Sequence, residues 1–159
     1  MSYVLNCMLL LLPIMAWNGI FSNRLPSAYS AEVFDKDIPS LITSGENIFR
    51  LLVFVLPILM PIRIETESQK LGLWLYVIGV AIYFVSWVAQ MIFPQSLWSL
   101  SAFGFLAPAY TPLIWLVGIG LIGSSLYFDS PYRSWMYILL SVVFIGFHLS
   151  HAWTVYSRN

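Results

Sequence analysis

Charged residues are scarce in this sequence of 159 residues: only 9% are Asp, Glu, Lys or Arg, against roughly a quarter in an ordinary soluble domain. Seven basic side chains balance seven acidic ones. The chain therefore has neither the basic surface that binds nucleic acid nor the polybasic run that binds anionic lipid. A single cysteine, Cys7, excludes an intrachain disulfide. Motifs built on a serine or cysteine nucleophile are absent, and so is the HExxH motif of zinc hydrolases.

Apolar residues make up 60% of the chain and aromatic residues 17%, and they are grouped in long runs. Each run is close to the ~20 residues that a helix needs to cross ~30 Å of hydrocarbon. The pattern predicts an all-α integral membrane protein, a bundle of five transmembrane helices that forms one domain over 1–159. The predicted spans are 4–21, 47–64, 71–93, 102–127 and 132–156.

Prolines interrupt two of these runs. Span two contains Pro57 and Pro61, and span four contains Pro108 and Pro112. Each proline removes one helical hydrogen bond, so the sequence predicts kinks in both spans. Such prolines are tolerated in membranes where neighbouring groups bond the freed carbonyls, and the glycines later in span four favour close helix packing.

The segment 22–45 is the one long polar connection. It is rich in acidic and turn-forming residues, and a loop of this length in a compact protein is usually functional or disordered. Its apolar side chains favour a segment that lies on the membrane surface, over the residues beneath it. Thr43 and Glu46 have the spacing of a capping box, which predicts that span two begins there.

Both histidines of the protein, His148 and His151, lie in the last span. Because they are three positions apart, they lie on one face of a helix. Because ionisable side chains inside a membrane are costly, they usually face the bundle interior and mark a functional site. We therefore expect both imidazoles to point into the bundle.

Other polar residues should lie on the same side of the membrane as the two histidines, because successive spans cross the membrane in alternating directions. Glu46 and Arg50 have the spacing of a helical ion pair, and span three carries a polar stripe on one face. The predicted ligand-binding residues are Asn18, Glu46, Arg50, Tyr83, Ser86, Gln90, His148 and His151. Each also has a structural interpretation: Ser86 and Gln90 would join helices by hydrogen bonds, Arg50 and Glu46 would cap a helix, and the histidines would form a packed pair.

Three functions fit this pattern. The favoured one is a pocket near one membrane face for a lipid-like or small polar ligand, in a sensor, carrier or accessory subunit that is not an enzyme. The second is a metal-dependent intramembrane hydrolase, in which His148 and His151 hold zinc together with a carboxylate, either Glu46 or the loop residues Asp35 and Asp37. Haem is disfavoured, because histidines on one helix face cannot occupy opposite axial positions. The third is a structural subunit of a homo-oligomer or larger membrane complex.

The basic residues of the short turns indicate the orientation. Arg63, Lys70 and Arg133 lie on the side opposite the polar cluster, which favours that side as cytoplasmic. The sequence therefore predicts a multi-pass protein of a prokaryotic plasma membrane with a cytoplasmic N-terminus. Membrane lipid is its predicted partner.

Overall fold

A computed structural model describes residues 5–158, and within them the regular structure is almost entirely helical. Short 3-10 turns occupy Cys7–Leu10, Ser22–Arg24, Ser27–Tyr29 and Leu56–Leu59. The α-helices are α1 (Leu12–Phe21), α2 (Ala31–Phe34), α3 (Ser40–Val55), α4 (Glu67–Ile92), α5 (Leu97–Leu100), α6 (Ala102–Tyr110), α7 (Pro112–Ile122) and α8 (Ser134–Tyr156).

Four helical segments are long and apolar enough to cross a membrane: Ser40–Leu59, Glu67–Ile92, Ala102–Ile122 and Ser134–Tyr156. They correspond to predicted spans two to five. The all-helical class is confirmed, and the four helices are consistent with a multi-pass membrane protein. The structure does not show the predicted first span, 4–21, as one long helix. Its first residue, Val4, lies outside the described residues, and the rest is divided between a 3-10 turn and the ten residues of α1. A helix of ten residues rises about 15 Å, half of the hydrocarbon thickness.

The start of α3 also differs from the prediction. The helix begins at Ser40, directly after Pro39, so the proposed capping box at Thr43 and Glu46 is wrong. Proline favours the first turn of a helix and its flank, and here it sets the boundary one turn earlier. Glu46 consequently lies in the second turn of α3, about 10 Å from its start, where the neighbouring helix covers it.

Two prolines leave carbonyl groups without a helical donor, and side chains of other helices fill both positions. Pro57 cannot donate to the carbonyl of Val53, which accepts instead from the Tyr137 hydroxyl at 3.1 Å. The carbonyl of Gly104, four residues before Pro108, accepts from Gln90 Nε2 at 2.7 Å. Each bond joins a proline-containing segment to another helix, because a buried carbonyl without a donor is costly in an apolar surrounding.

The long helices associate as two pairs, α4 with α7 and α3 with α8, and α8 also contacts α6 and α7. Glycines permit the first pairing: a Cβ atom built on Gly118 would lie 2.6 Å from the carbonyl oxygen of Gly72. In the second pair, a Cβ on Gly45 would lie 2.5 Å from the Phe147 ring. Close approach at Gly45 brings the next residue, Glu46, against α8.

Replacement of Gly118 by alanine tests the α4–α7 contact. The added methyl group meets backbone atoms of α4, which cannot move aside as a side chain can, and we expect a loss of about 1–3 kcal/mol in the free energy of unfolding. Gly146→Ala is the matched control, because nothing lies within 4 Å of a Cβ at Gly146. Thermal unfolding in detergent should show a lower midpoint for Gly118→Ala alone. Equal midpoints would contradict the close packing of α4 on α7.

The bond from Gln90 to Gly104 can be tested with a double-mutant cycle. Gln90→Leu should lower the free energy of unfolding by about 1 kcal/mol, because the Gly104 carbonyl loses its donor. In a Pro108→Ala background, the alanine N–H supplies that donor, so the same substitution should cost little. Equal costs in the two backgrounds, measured by denaturant unfolding, would show that Gln90 does not serve this carbonyl.

Candidate functional site

A buried carboxylate, that of Glu46, is the centre of the polar cluster. Its side chain is 2% exposed and accepts hydrogen bonds from three groups on two helices. Arg50, one turn along α3, donates to Oε1. Across the helix pair, His148 Nδ1 lies 2.9 Å from Oε1 and His151 Nδ1 lies 2.6 Å from Oε2. Three partners on one carboxylate offset the large cost of taking a charge out of water.

His151 is enclosed, and both of its ring nitrogens face oxygen atoms. Nδ1 faces Glu46, while Nε2 lies 2.9 Å from the carbonyl oxygen of Phe34 and 3.8 Å from Oδ1 of Asp35. A neutral imidazole has one N–H and can donate to only one acceptor. Both short contacts are satisfied when Nδ1 donates to the Glu46 carboxylate and Nε2 donates to the Phe34 carbonyl.

The loop between α1 and α3 covers this cluster. The Phe34 ring stacks on the His151 imidazole with ring centres 4.5 Å apart. The Tyr29 hydroxyl donates to the Phe105 carbonyl at 2.7 Å, which fastens the loop to α6. Burial raises the pKa of Tyr29, so its phenol remains a neutral donor. Near the C-terminus, Arg158 donates to the carbonyl of Lys36. The loop thus lies over the histidines.

Two adjoining cavities lie beside the cluster, with volumes of about 230 and 280 Å³. Four residues line both: Asn18, Tyr83, Pro108 and His148. The Tyr83 hydroxyl donates to Asn18 Oδ1 at 2.7 Å, which leaves the amide N–H groups of Asn18 as donors. Since His148 Nδ1 is engaged by Glu46, this residue connects the charged cluster with the cavities.

Indole groups add further donors near the cavities. Three buried indole Nε1 atoms, those of Trp17, Trp87 and Trp115, have no hydrogen-bond partner within the described part of the chain. Trp87 lines the smaller cavity and Trp115 the larger one, and Trp87 is also within electrostatic reach of the Tyr83 hydroxyl. An indole can only donate. Each of these indoles is therefore a buried donor whose hydrogen-bonding capacity is unused.

The structure brings most of the predicted site residues to this place. Glu46, Arg50, His148 and His151 are in direct contact, and Asn18 and Tyr83 line the cavities next to them. The other two residues serve the backbone, as their structural interpretation proposed. Besides its bond to Gly104, Gln90 lies 3.5 Å from the carbonyl of Ser99, and Ser86 donates to the carbonyl of Tyr83 three residues earlier.

Two contributors were missed by the sequence argument, Trp115 and the Phe34 carbonyl. Trp115 lies in an apolar run between the prolines and glycines of predicted span four, and resembles an ordinary core residue there. A backbone carbonyl has no sequence signal at all. The position of Trp115 three residues after Pro112 was the one available indication, because helix breaks within membranes often line cavities.

A metal site requires donor atoms that converge on one point. Within residues 5–158, no group of three or more His, Cys, Asp or Glu side chains has an arrangement suited to a metal ion. His148, His151 and Glu46 do meet, but both Nδ1 atoms are directed at the carboxylate oxygens. Zinc bound by these residues would replace those hydrogen bonds with coordination bonds.

A larger groove of about 620 Å³ lies elsewhere, beside Tyr29, Gln90 and Tyr156. None of its lining side chains is charged, and Gln90 is already bonded to two carbonyl groups. The chemistry is therefore concentrated at the Glu46 cluster.

Comparison of the chain with protein-family models, with curated proteins and with solved structures finds no match. The argument for function consequently depends on the geometry of the cluster and its cavities.

Neutralising Glu46 should destabilise the fold. Glu46→Gln removes the charge that pairs with Arg50 and replaces one acceptor oxygen by a donor amide group, and we expect a loss of about 3 kcal/mol in the free energy of unfolding. Glu32→Gln, an equivalent change at an exposed residue of the loop, should have no measurable effect. Denaturant unfolding in detergent compares the two variants, and equal stability would exclude Glu46 as the centre of the cluster.

Proposed function

We propose that this chain is a small multi-pass membrane protein that binds a lipid-like or small polar ligand in the cavities beside the Glu46 cluster. The observation that carries the proposal is the connection of an ionisable group to the two cavities: His148 bonds to Glu46 and lines both of them. Cavities of this size are near the lower limit of ordinary small-molecule sites, which enclose ~300–1,000 Å³. A sensor, a carrier and an accessory subunit would all use such a site.

The surroundings favour a ligand that arrives through the bilayer. Among the described residues, α3 and α4 are not a pair in extensive contact, and the cavities lie between the two helix pairs. The outer face of α3 is apolar and exposed at Ile48, Leu51 and Val55. A ligand with an apolar body can remain in hydrocarbon along this face while its polar end reaches the cluster.

The proposal also includes a fifth span, bends at the prolines and an orientation in the membrane. The segment 4–21 would serve as a fifth span if the bilayer thins around it or if it is tilted into the interface. Bends at Pro57/Pro61 and Pro108/Pro112 would shape the cavity side of the bundle. The cluster and its loop would face the outside of a prokaryotic plasma membrane, with the basic turns in the cytoplasm.

A second candidate function is a metal-dependent intramembrane hydrolase. One observation favours it: His148, His151 and Glu46, the three ligands of a His₂-carboxylate zinc site, are already in contact. A rearrangement that turned the ring nitrogens from the carboxylate toward a common point would create that site, with a fourth position for water.

One preparation separates these candidates. We expect mass spectrometry of the protein purified in mild detergent to detect a copurified small molecule, and Asn18→Leu to lose it, because the cavities lose their amide. Gln95→Leu, which changes the groove alone, should retain it. Stoichiometric zinc that is lost in a His148→Ala/His151→Ala variant would favour the hydrolase. If the preparation contains neither a small molecule nor a metal, both candidates are contradicted and a structural subunit is favoured.

A further inference from the structure

The segment of residues 22–39, which joins α1 to α3, forms one wall of the smaller cavity. This wall consists of Ser22, Leu25, Tyr29 and Phe34. The rest of the lining belongs to the bundle, and it includes Tyr83, Trp87, His148 and Ala152. A movement of the segment away from the bundle would therefore uncover the space beside His148.

The outer surface of the segment is polar. All of its charged side chains are exposed: Arg24, Glu32, Asp35, Lys36 and Asp37. Charged side chains are strongly disfavoured in hydrocarbon, so this surface faces water at the edge of the bilayer. The segment thus separates water on one side from the cavity on the other.

Few hydrogen bonds attach the segment to the bundle. Within residues 5–158, the backbone hydrogen bonds of the segment are all local and none reaches another helix of the bundle. The attachment is made by side chains that donate to carbonyl groups: Tyr29 to Phe105, His151 to Phe34 and Arg158 to Lys36. Elements with few bonds to the rest of a protein are the ones that open locally.

The apolar contacts of the segment are separate from the main core. Ala28, Tyr29, Phe34 and Ile38 pack against a small cluster on α6 and the end of α8. Among the described residues, the main core cluster contains no residue of 26–39. The segment can therefore move without disturbing the packing of the long helices.

Both ends of the segment are suited to act as hinges. The first end, Ser22–Arg24, is an exposed 3-10 turn. At the second end, Asp37 has a φ of 51°, in the left-handed region that residues other than glycine rarely adopt. Strained positions of this kind recur in the switch regions of proteins.

We propose that segment 22–39 is a lid that opens the cavities beside His148 to water. Because the two cavities share lining residues, an open lid would connect water with the space next to the apolar face of α3. A carrier needs such a second route to its site, whereas a structural subunit does not. The role of the lid as a ligand route rests on the proposed function, but the opening itself does not.

The reactivity of introduced cysteines measures this opening. Ala152→Cys places a thiol on the cavity wall beneath the lid, at a residue that is 2% exposed. Cys7→Ala removes the one native thiol. In phosphatidylcholine nanodiscs, we expect the new thiol to react with a charged, membrane-impermeant methanethiosulfonate, because the rate follows the population of the open form. Ala109→Cys, on the same cavity wall, is a second reporter.

Tyr29→Phe should raise the reaction rate about fivefold, the effect of one lost hydrogen bond on the closed lid. Tyr110→Phe is the matched control. It removes a bond from a tyrosine hydroxyl to the Phe103 carbonyl that does not involve the lid, and it should leave the rate unchanged.

Ala107→Cys controls for general unfolding. This residue is also 2% exposed, but it lies two positions before Ala109 and so on the other side of α6, away from the cavity. Its thiol should stay unreactive in the native protein.

Three results would overturn the lid. The first is that the thiols at 152 and 109 react only after denaturation in sodium dodecyl sulfate. The second is an equal rate with and without Tyr29→Phe, and the third is reaction of Ala107→Cys as fast as that of Ala152→Cys. None of them affects copurification of a small molecule. Conversely, Tyr29-dependent reaction without any copurified molecule would contradict the proposed function and leave the lid in place.

Discussion

The burial of one carboxylate, Glu46, imposes the arrangement of the polar half of this protein. An ion without water needs several close donors, and Arg50 on its own helix provides only one. The others come from α8, so α3 and α8 must approach with a fixed register, which Gly45 permits by leaving room for the Phe147 ring. His151 in turn requires an acceptor for its second nitrogen, and the Phe34 carbonyl holds the loop in place. Helix pairing and loop position thus follow from a single desolvated group.

Buried polar groups need hydrogen-bond partners, and by this criterion the polar residues of the membrane segments form two sets. Gln90 and Tyr137 are buried polar side chains whose partners are carbonyl groups freed by prolines. These donors and acceptors are paired within the protein, so the two side chains have a structural role. Asn18, Arg50 and His148 differ, because each retains hydrogen-bonding capacity and lines a cavity. Unused capacity, more than polarity itself, distinguishes a candidate binding residue from a structural one in an apolar surrounding.

Much of this was predictable from sequence, and the failures have physical causes. The meeting of Glu46, Arg50, His148 and His151 follows from helix periodicity and from the alternation of helix ends across a membrane. The start of α3 was mispredicted because Thr43 and Glu46 imitate a capping box, whereas Pro39 sets the true boundary. The segment 4–21 has the composition of a span, but the described part is divided at Leu11 between two helix types. The unpaired indole of Trp115 arises from packing, which local patterns do not specify.

Empty space beside the cluster lies next to the junction of α6 and α7. A continuous helix from Ala102 to Ile122 would present side chains at regular intervals to α3 and α8, and membrane helices usually close such gaps by packing. Here α6 ends at Tyr110 and α7 begins at Pro112, and Pro108, which lies inside α6, lines both cavities. A proline ring has no N–H to satisfy, so it forms an inert wall, while Gln90 removes the penalty of the carbonyl it frees.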